Sequence, residues 1–242
     1  MTNAIGKVRQ HYDEVAEIYD NRYDRSRGRE YYRHICRHVL ACIPPRGRIL
    51  DLGCGTGLFL TAYEEEGGTG VGLDISRGML ERARSRCSTC EVTVGNAEIL
   101  PFLDESFDGV SSLLAFSYVR NPEKLLDEAW RVLRPGGSLA ICTLGKHLLT
   151  SGLPAVYTLA EVMKLRKIGM GAFGERYYDR NEMSGLLEDA GFTGITIKRC
   201  SFAHLNLVHP LFGLAQKIEP IVEERIPHLA YNILASGKKP EP

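Results

Sequence analysis

The sequence has no excess of charge of either sign and no long hydrophobic run. Lysine plus arginine and aspartate plus glutamate both number 30, so the 242-residue chain has zero formal net charge. This balance argues against a nucleic-acid partner or an anionic membrane surface, because both favour a basic excess. Since there is no apolar run of about 18 residues and no recognisable signal peptide, we expect a cytoplasmic protein without a membrane span.

The cysteines lack the regular spacing of a disulfide framework, although seven are present. Cys87 and Cys90 form a single C-x-x-C motif, and no second pair or nearby histidine completes a set of four zinc ligands. We therefore interpret this motif as the end of a helix, with redox or metal binding as the alternative. The sequence predicts a reducing environment and no metal site.

Alternating strand and helix patterns are what the chain does contain. Strands are predicted at 48–53, 70–76, 91–97, 107–116 and 138–144, with helices between them, and Pro122 is expected to open one helix at its first position. This alternation predicts one domain of the α/β class, with a doubly wound, mostly parallel sheet. Two N-terminal helices are predicted at 9–23 and 28–42. A helix near 180–190 and strands at 192–200 and 230–239 are expected to complete the fold, between insertions at 146–178 and 202–228.

A glycine-rich loop follows the first strand in the segment "ILDLGCGTG". Gly53, Gly55 and Gly57 form a G-x-G-x-G pattern, whereas a dinucleotide-binding loop would need glycine at the position of Leu58. Asp51 precedes the loop, and its carboxylate would repel a pyrophosphate but attract a cation. The loop therefore favours a cationic ligand without phosphate.

Two further segments indicate which other groups this ligand contains. Asp74 ends the second strand, where a carboxylate can accept hydrogen bonds from ribose hydroxyls. After the third strand, Asn96 and the backbone of Ala97 and Glu98 can bind the edge of a purine. A ligand with a ribose, an adenine, a cationic amino-acid-like end and no phosphate is S-adenosylmethionine.

With these residues in place, the sequence resembles the class I S-adenosylmethionine-dependent methyltransferases, of the small-molecule type related to quinone biosynthesis. The segments "ILDLGCGTG", "GLDIS", "GNAEILPFLDESFDGV" and "EAWRVLRPGG" occur in the order and spacing of that family, over about residues 46–145. The resemblance implies a seven-stranded sheet whose last strand is antiparallel. It also implies an N-terminal helical lid (1–45), a cofactor-binding core (46–145) and two substrate-cap insertions (146–178 and 202–228).

The resemblance also implies roles for individual cofactor-binding residues. The methionine part of the cofactor would contact the glycine loop and the residues before it. The ribose would contact Asp74, and the adenine would contact the side chains and backbone that follow Asp74. The amino group would contact the backbone at the end of the fourth strand. The set is Asp51, Gly53, Cys54, Gly55, Asp74, Ile75, Met79, Asn96, Ala97, Glu98 and Leu113. Two alternatives stay open, since Asp74 could be a helix N-cap and Asn96 a turn residue.

Candidates for a catalytic role are Tyr19, Tyr118 and His147. Tyr12 and Tyr19 lie on one face of the first helix, where a tyrosine near the sulfonium would stabilise it by cation–π or polar contact. The alternative is an aromatic stripe that only packs the helix. Tyr118 follows the fourth strand, and His147 follows the fifth and is the histidine best placed to act as a base, unless it is a bystander.

The absence of two motifs narrows the kinds of methyl transfer that the sequence predicts. The stretch 113–118 lacks both the Pro-Pro motif of nucleobase amine methylation and an acid that could hold magnesium. The predicted function is thus metal-independent methyl transfer to a small molecule, mainly by proximity and alignment, in a monomer or homodimer. Alternatives are an RNA or protein methyltransferase of the same fold and a non-catalytic cofactor-binding protein.

Overall fold

The computed structural model describes residues 4–24, 26–87, 89–146, 175–203 and 210–242. The helices are α1 (Ala4–Tyr19), α2 (Asn21–Asp24), α3 (Ser26–Leu40), α4 (Leu58–Glu65), α5 (Arg77–Arg86), α6 (Pro122–Val132), α7 (Arg180–Asp189) and α8 (Leu211–Arg225). The strands are β1 (Arg48–Leu52), β2 (Thr69–Asp74), β3 (Glu91–Val94), β4 (Phe107–Leu113), β5 (Leu133–Leu144), β6 (Thr193–Cys200) and β7 (Asn232–Lys238).

The seven strands form one sheet in the order β3-β2-β1-β4-β5-β7-β6. Strand β7 is antiparallel to both of its neighbours, and the pairs among β1 to β5 are parallel. The predicted fold class and the antiparallel last strand are therefore confirmed. Strand order reverses between β1 and β4, so their carboxyl ends open a crevice, which is where ligands bind in open α/β sheets.

Helices cover both faces of the sheet, as the alternating pattern predicts. Buried residues of α6 and α7 pack with Leu50 and Leu52 on one face. Buried residues of α3 and α4 pack with Ile49 on the other. Successive strand residues point to opposite faces, so β1 is apolar on both sides up to its end, where Asp51 interrupts the pattern.

Two helix starts show how local chemistry sets the boundaries. Pro122 is the first residue of α6, as predicted. Helix α4 begins at Leu58, because Gly57 adopts a left-handed backbone with φ of 78° just before it. The glycine loop therefore extends through Gly57, the last glycine of the pattern.

The predicted insertions differ in what the structure describes. The insertion 202–228 contains α8, so it carries a regular helix. Most of the insertion 146–178 lies outside the described residues, and His147 lies there too. The role of both insertions as a substrate cap stays a prediction. Among the described helices, none combines the length and the apolar character that crossing a membrane requires.

The C-x-x-C motif does more than the sequence analysis expected. Helix α5 does end at this motif, since Cys87 is its C-cap. The structure also joins Cys87 to Cys90 in a disulfide, with the two Cα atoms 5.4 Å apart. That separation lies in the usual range for disulfides. The interpretation of the motif as a helix end is therefore confirmed, and the disulfide is a feature that the sequence analysis did not predict.

Candidate cofactor site

The glycine loop lies against the end of β4. The backbone N–H of Gly53 donates to the carbonyl of Leu73 at 2.7 Å, which ties the loop to β2. Gly53 has a φ of 74°, and a Cβ there would lie only 2.3 Å from the Cβ of Ala115. Glycine is therefore required at this position both by backbone conformation and by the close approach of the β4 loop.

The carboxylate of Asp74 is held by the backbone on two sides. It accepts hydrogen bonds from the N–H groups of Gly55 at 2.8 Å and Ser76 at 2.9 Å. Burial raises the pKa of this carboxyl and the charge of Asp13 adds to the rise, while the backbone hydrogen bonds act in the opposite direction. Asp74 is not the N-cap of α5, which was the alternative interpretation, because the side chain that caps this helix belongs to Ser76.

Asp51 does not line the cavity, although the sequence analysis placed it against the ligand. Its side chain is buried and accepts a hydrogen bond from the hydroxyl of Ser111 at 2.8 Å. It shares the sheet face of Ile49, two residues earlier, and its charge contributes to raising the pKa of Tyr32 on α3. Burial raises the pKa of Asp51 itself to about 7.

Helix α1 closes one side of the cavity and is attached by two aspartates. Asp13 accepts hydrogen bonds from the Ser76 hydroxyl at 2.6 Å and from the N–H of Gly78 at 3.1 Å. Asp20 accepts from the hydroxyl of Thr56 at 2.6 Å and from Arg86 at 2.5 Å. The first contact joins α1 to the start of α5, and the second joins the end of α1 to the glycine loop.

Three tyrosines form an aromatic wall above the loop. The ring centroid of Tyr12 lies 6.1 Å from that of Tyr19 and 5.8 Å from that of Tyr118, both edge to face. Burial raises the pKa of all three hydroxyls above their ordinary value. These phenols are therefore neutral at pH 7 and suit polar or aromatic contact rather than the role of a base.

The loop after β3 is organised by its own side chains. The side-chain oxygen of Asn96 accepts from the N–H of Glu98 at 3.0 Å, so Asn96 is a turn residue as the open alternative has it. The carboxylate of Glu98 accepts from the N–H groups of Arg120 and Asn121, both at 3.1 Å. This bridge fixes the loop beside the start of α6.

These elements surround one cavity with about 880 Å³ of space free of protein atoms, part of it open to solvent. Most of the predicted site residues line it, namely Tyr12, Tyr19, Gly53, Gly55, Asp74, Ile75, Met79, Asn96, Ala97, Glu98, Leu113 and Tyr118. Cys54 does not line it; this side chain is buried and occupies the space where a Cβ on Gly72 would lie.

Several cavity residues escaped the sequence analysis. Ile5 and Val8 extend the face of α1 that carries Tyr12, at helical spacing that could have revealed them. Leu114 has a φ of 58°, a left-handed conformation that is strained for leucine. No sequence signal indicates that conformation, yet it turns the chain so that Ala115 meets Gly53.

Comparison with known proteins bears on what this cavity binds. The family model described as a methyltransferase domain matches residues 50–141. The demethylmenaquinone methyltransferase of Tropheryma whipplei is 30% identical over 226 residues, which cover 86% of this chain and 92% of the relative. The chain belongs to the S-adenosylmethionine-dependent methyltransferases. Its enzymatic activity and its cofactor follow from this membership.

Two further proteins agree with this family. The malonyl acyl-carrier-protein O-methyltransferase of Methylococcus capsulatus is 36% identical over 160 residues, covering 64% of this chain and 54% of the relative. A methyltransferase structure from Thermotoga maritima aligns with a TM-score of 0.69 at 24% identity, covering 95% of this chain and 99% of that one. This structural likeness confirms the fold.

The residues of the cavity fit S-adenosylmethionine. The acceptor-only carboxylate of Asp74 suits a group with neighbouring hydroxyl donors, such as a ribose. Ile75 and Met79 offer apolar surface beside it, and Gly55 leaves open space, since a Cβ there would meet nothing within 4 Å. Asp74, Ile75 and Met79 therefore offer groups that suit the ribose and the adenine of this cofactor.

Cofactor binding by this methyltransferase is expected to release a proton from Asp51. A positive ligand nearby favours the carboxylate and lowers its pKa from about 7. Affinity should therefore rise between pH 6 and pH 8 in the native enzyme, and less so in Asp51→Asn. Calorimetry in buffers of different ionisation enthalpy measures the protons released. Equal release by enzyme and variant at pH 7 would exclude this coupling.

The ionisation of Asp51 also affects the stability of the enzyme without cofactor, which should fall, rather than rise, as the pH increases. The folded-state pKa of Asp51, about 7, lies above the ordinary value of 3.8. The folded state therefore binds this proton more tightly, and the stability contributed below pH 3.8 is lost as the pH rises through 7. Asp51→Asn should reduce the loss, which thermal unfolding at pH 5 and pH 8 would detect.

Proposed function

We propose that this methyltransferase methylates an apolar small molecule, without a metal ion in the transfer, chiefly by aligning the acceptor with the methyl group. The observation that carries the proposal is the composition of the cavity. One side holds Asp74 and the glycine loop, and the other side is apolar and aromatic, with Leu113, Tyr118 and the tyrosines of α1. A pocket of this kind suits a hydrophobic acceptor held beside a polar cofactor.

The side chains of the cavity have positioning roles in this scheme. When bound, the cofactor supplies an electrophilic methyl group on its sulfonium. Asp74 and the loop backbone orient the ribose, while Tyr12 and Tyr19 exclude water and present ring faces and neutral hydroxyls to the reacting centre. Alignment alone can lower the barrier by about 7–11 kcal/mol.

A quinol is the acceptor class that the relatives favour. The demethylmenaquinone methyltransferase is similar over nearly its whole length, whereas the malonyl carrier-protein methyltransferase is similar over about half of its own. An aromatic quinol matches the aromatic wall of the cavity. Methylation of such a ring at carbon removes one ring proton, so a base is needed to accept it.

Glu175 is a candidate for this base. Its side chain is buried, and neither carboxylate oxygen has a hydrogen-bond partner within the described structure. Its charge contributes to raising the pKa of Tyr118, so it lies close to the aromatic wall. The N–H of Arg176 donates to the carbonyl of Ser117 at 2.9 Å and fixes the segment there. His147 stays a prediction from sequence alone.

Transfer of a labelled methyl group from S-adenosylmethionine tests the proposal directly. We expect label in a demethylated naphthoquinol with a short prenyl chain, and little in malonyl thioesters, RNA transcripts or peptides. Treatment of the enzyme with chelator should leave the rate unchanged. Label in RNA or protein with none in the quinol would refute the small-molecule proposal, and cofactor binding without transfer to any acceptor would favour a non-catalytic role.

A further inference from the structure

A cluster of two histidines and two glutamates lies outside the cofactor cavity, between α3 and α8. His34 and His38 are four residues apart on α3, and Glu219 and Glu223 are four residues apart on α8. Residues at this spacing share one face of a helix, so each helix presents a pair of side chains to the other. The two pairs meet across 189 positions of sequence.

The ligand atoms of His34, His38 and Glu223 all lie within 4.8 Å of one another. The Nε2 atom of His34 is 2.7 Å from Oε1 of Glu223, and Nε2 of His38 is 3.2 Å from Oε2 of the same carboxylate. The two Nε2 atoms are 3.2 Å apart, and Oε1 of Glu219 is 3.6 Å from His34. Ligands at about 2.0–2.2 Å from a tetrahedral zinc ion are separated by similar distances.

Hydrogen bonds hold this arrangement together when no ion is bound. A neutral imidazole has one N–H donor and one acceptor nitrogen, and with the proton on Nε2 each histidine donates to a different oxygen of Glu223. With the proton on the other ring nitrogen, the same Nε2 atoms and carboxylate oxygens become the donor atoms that a divalent cation needs.

Both carboxylates are also oriented by backbone donors. The N–H of Ser201 donates to Glu223 at 2.7 Å, and the N–H of Ala203 donates to Glu219 at 3.0 Å. Outer hydrogen bonds of this kind hold ligands in place around protein metal ions. Glu219 is buried, at 5% exposure, although no lysine or arginine ion pair to it is found within the described residues.

We propose that His34, His38 and Glu223, with Glu219 beside His34, form a binding site for a divalent transition metal, zinc by preference, that joins α8 to α3. Imidazole and carboxylate ligands in a tetrahedral arrangement suit zinc better than magnesium or calcium, which prefer more oxygen ligands. The ion stabilises the packing of the 202–228 insertion on the N-terminal helices. It takes no part in methyl transfer.

Thermal unfolding with zinc chloride tests this site in the full-length protein. After treatment with chelator, zinc at a hundredfold excess over its Kd should raise the Tm by about 5–10 °C, and magnesium should not. Cobalt(II) should give the visible absorption of a tetrahedral nitrogen and oxygen site. The Cys87→Ser, Cys90→Ser protein is used throughout, because Glu64, Cys87 and Cys90 are a second group that could hold a metal.

His38→Gln and His228→Gln form the matched pair of variants. His228 is exposed and lies outside the cluster, so its loss should leave zinc affinity unchanged. His38→Gln should weaken zinc binding by at least about a hundredfold, since even the loss of an outer hydrogen-bond partner costs 10–100-fold. An unchanged Tm with zinc, or equal affinity in both variants, would overturn the proposal. Neither result would affect the proposed methyl transfer.

Discussion

Replacing Asp74 with alanine is expected to weaken S-adenosylmethionine binding by about 10²–10⁴-fold. Each hydrogen bond to a charged group contributes about 1.5–3 kcal/mol, and the carboxylate can accept two from a ribose. The substitution also removes the hydrogen bonds that the N–H groups of Gly55 and Ser76 donate to Asp74, so the glycine loop loses contacts that hold it in place. Calorimetry with the cofactor gives the change in Kd.

Two variants separate the effect of Asp74 from a general loss of structure. Asp127→Ala removes an exposed carboxylate of α6 and should leave both Kd and Tm unchanged. Asp74→Asn keeps one acceptor oxygen without the charge and should fall between the native enzyme and the alanine variant. A Kd for Asp74→Ala within about threefold of the native value, which corresponds to less than one ordinary hydrogen bond, would remove the proposed role.

Replacing Glu175 with glutamine is expected to lower kcat by about 10²–10⁴-fold, the range over which general bases usually act. Glutamine has the same shape but cannot accept the proton. Glu175 does not line the cavity, so it would accept the proton through one bridging water, and the Kd for the cofactor should not change. Initial rates with saturating cofactor and quinol give kcat, and calorimetry gives the Kd.

A purely structural role for Glu175 would give a different pattern. The carboxylate is buried without a hydrogen-bond partner among the described residues, so a neutral side chain there should raise the Tm. Glu188→Gln, on the exposed side of α7, is the control and should change neither rate nor stability. A Glu175→Gln enzyme with native kcat would exclude the carboxylate as the base.

Local signals made the cofactor side of the cavity predictable from sequence. Gly53 comes directly after β1 and Asp74 is the last residue of β2, and parallel strands bring their carboxyl ends to one edge of the sheet. The same reasoning did not predict the orientation of Asp51, because the alternation of side chains along β1 directs it to the face of Ile49; its role in binding the cofactor stays a prediction. Counting residues from Ile49 would have revealed this orientation.

Long-range contacts account for most of what the sequence did not reveal. Asp13 meets Ser76 across 63 positions, and His34 meets Glu223 across 189, so neither pair leaves a local pattern. Glu175 was missed because it lies in a segment without helix or strand periodicity. The left-handed backbone of Leu114 depends on the packing of β4 against the glycine loop, which intrinsic propensity does not encode.

The order of the sheet has a consequence for aggregation. Its two outer strands are β3 and β6, and unpaired outer strands can pair with a second molecule. Strand β3 has only four residues, and β6 carries Lys198 and Arg199 and has a register irregularity near Gly194. Short length, basic side chains and bulges all oppose intermolecular pairing. The molecule is thereby protected against sheet extension at both margins.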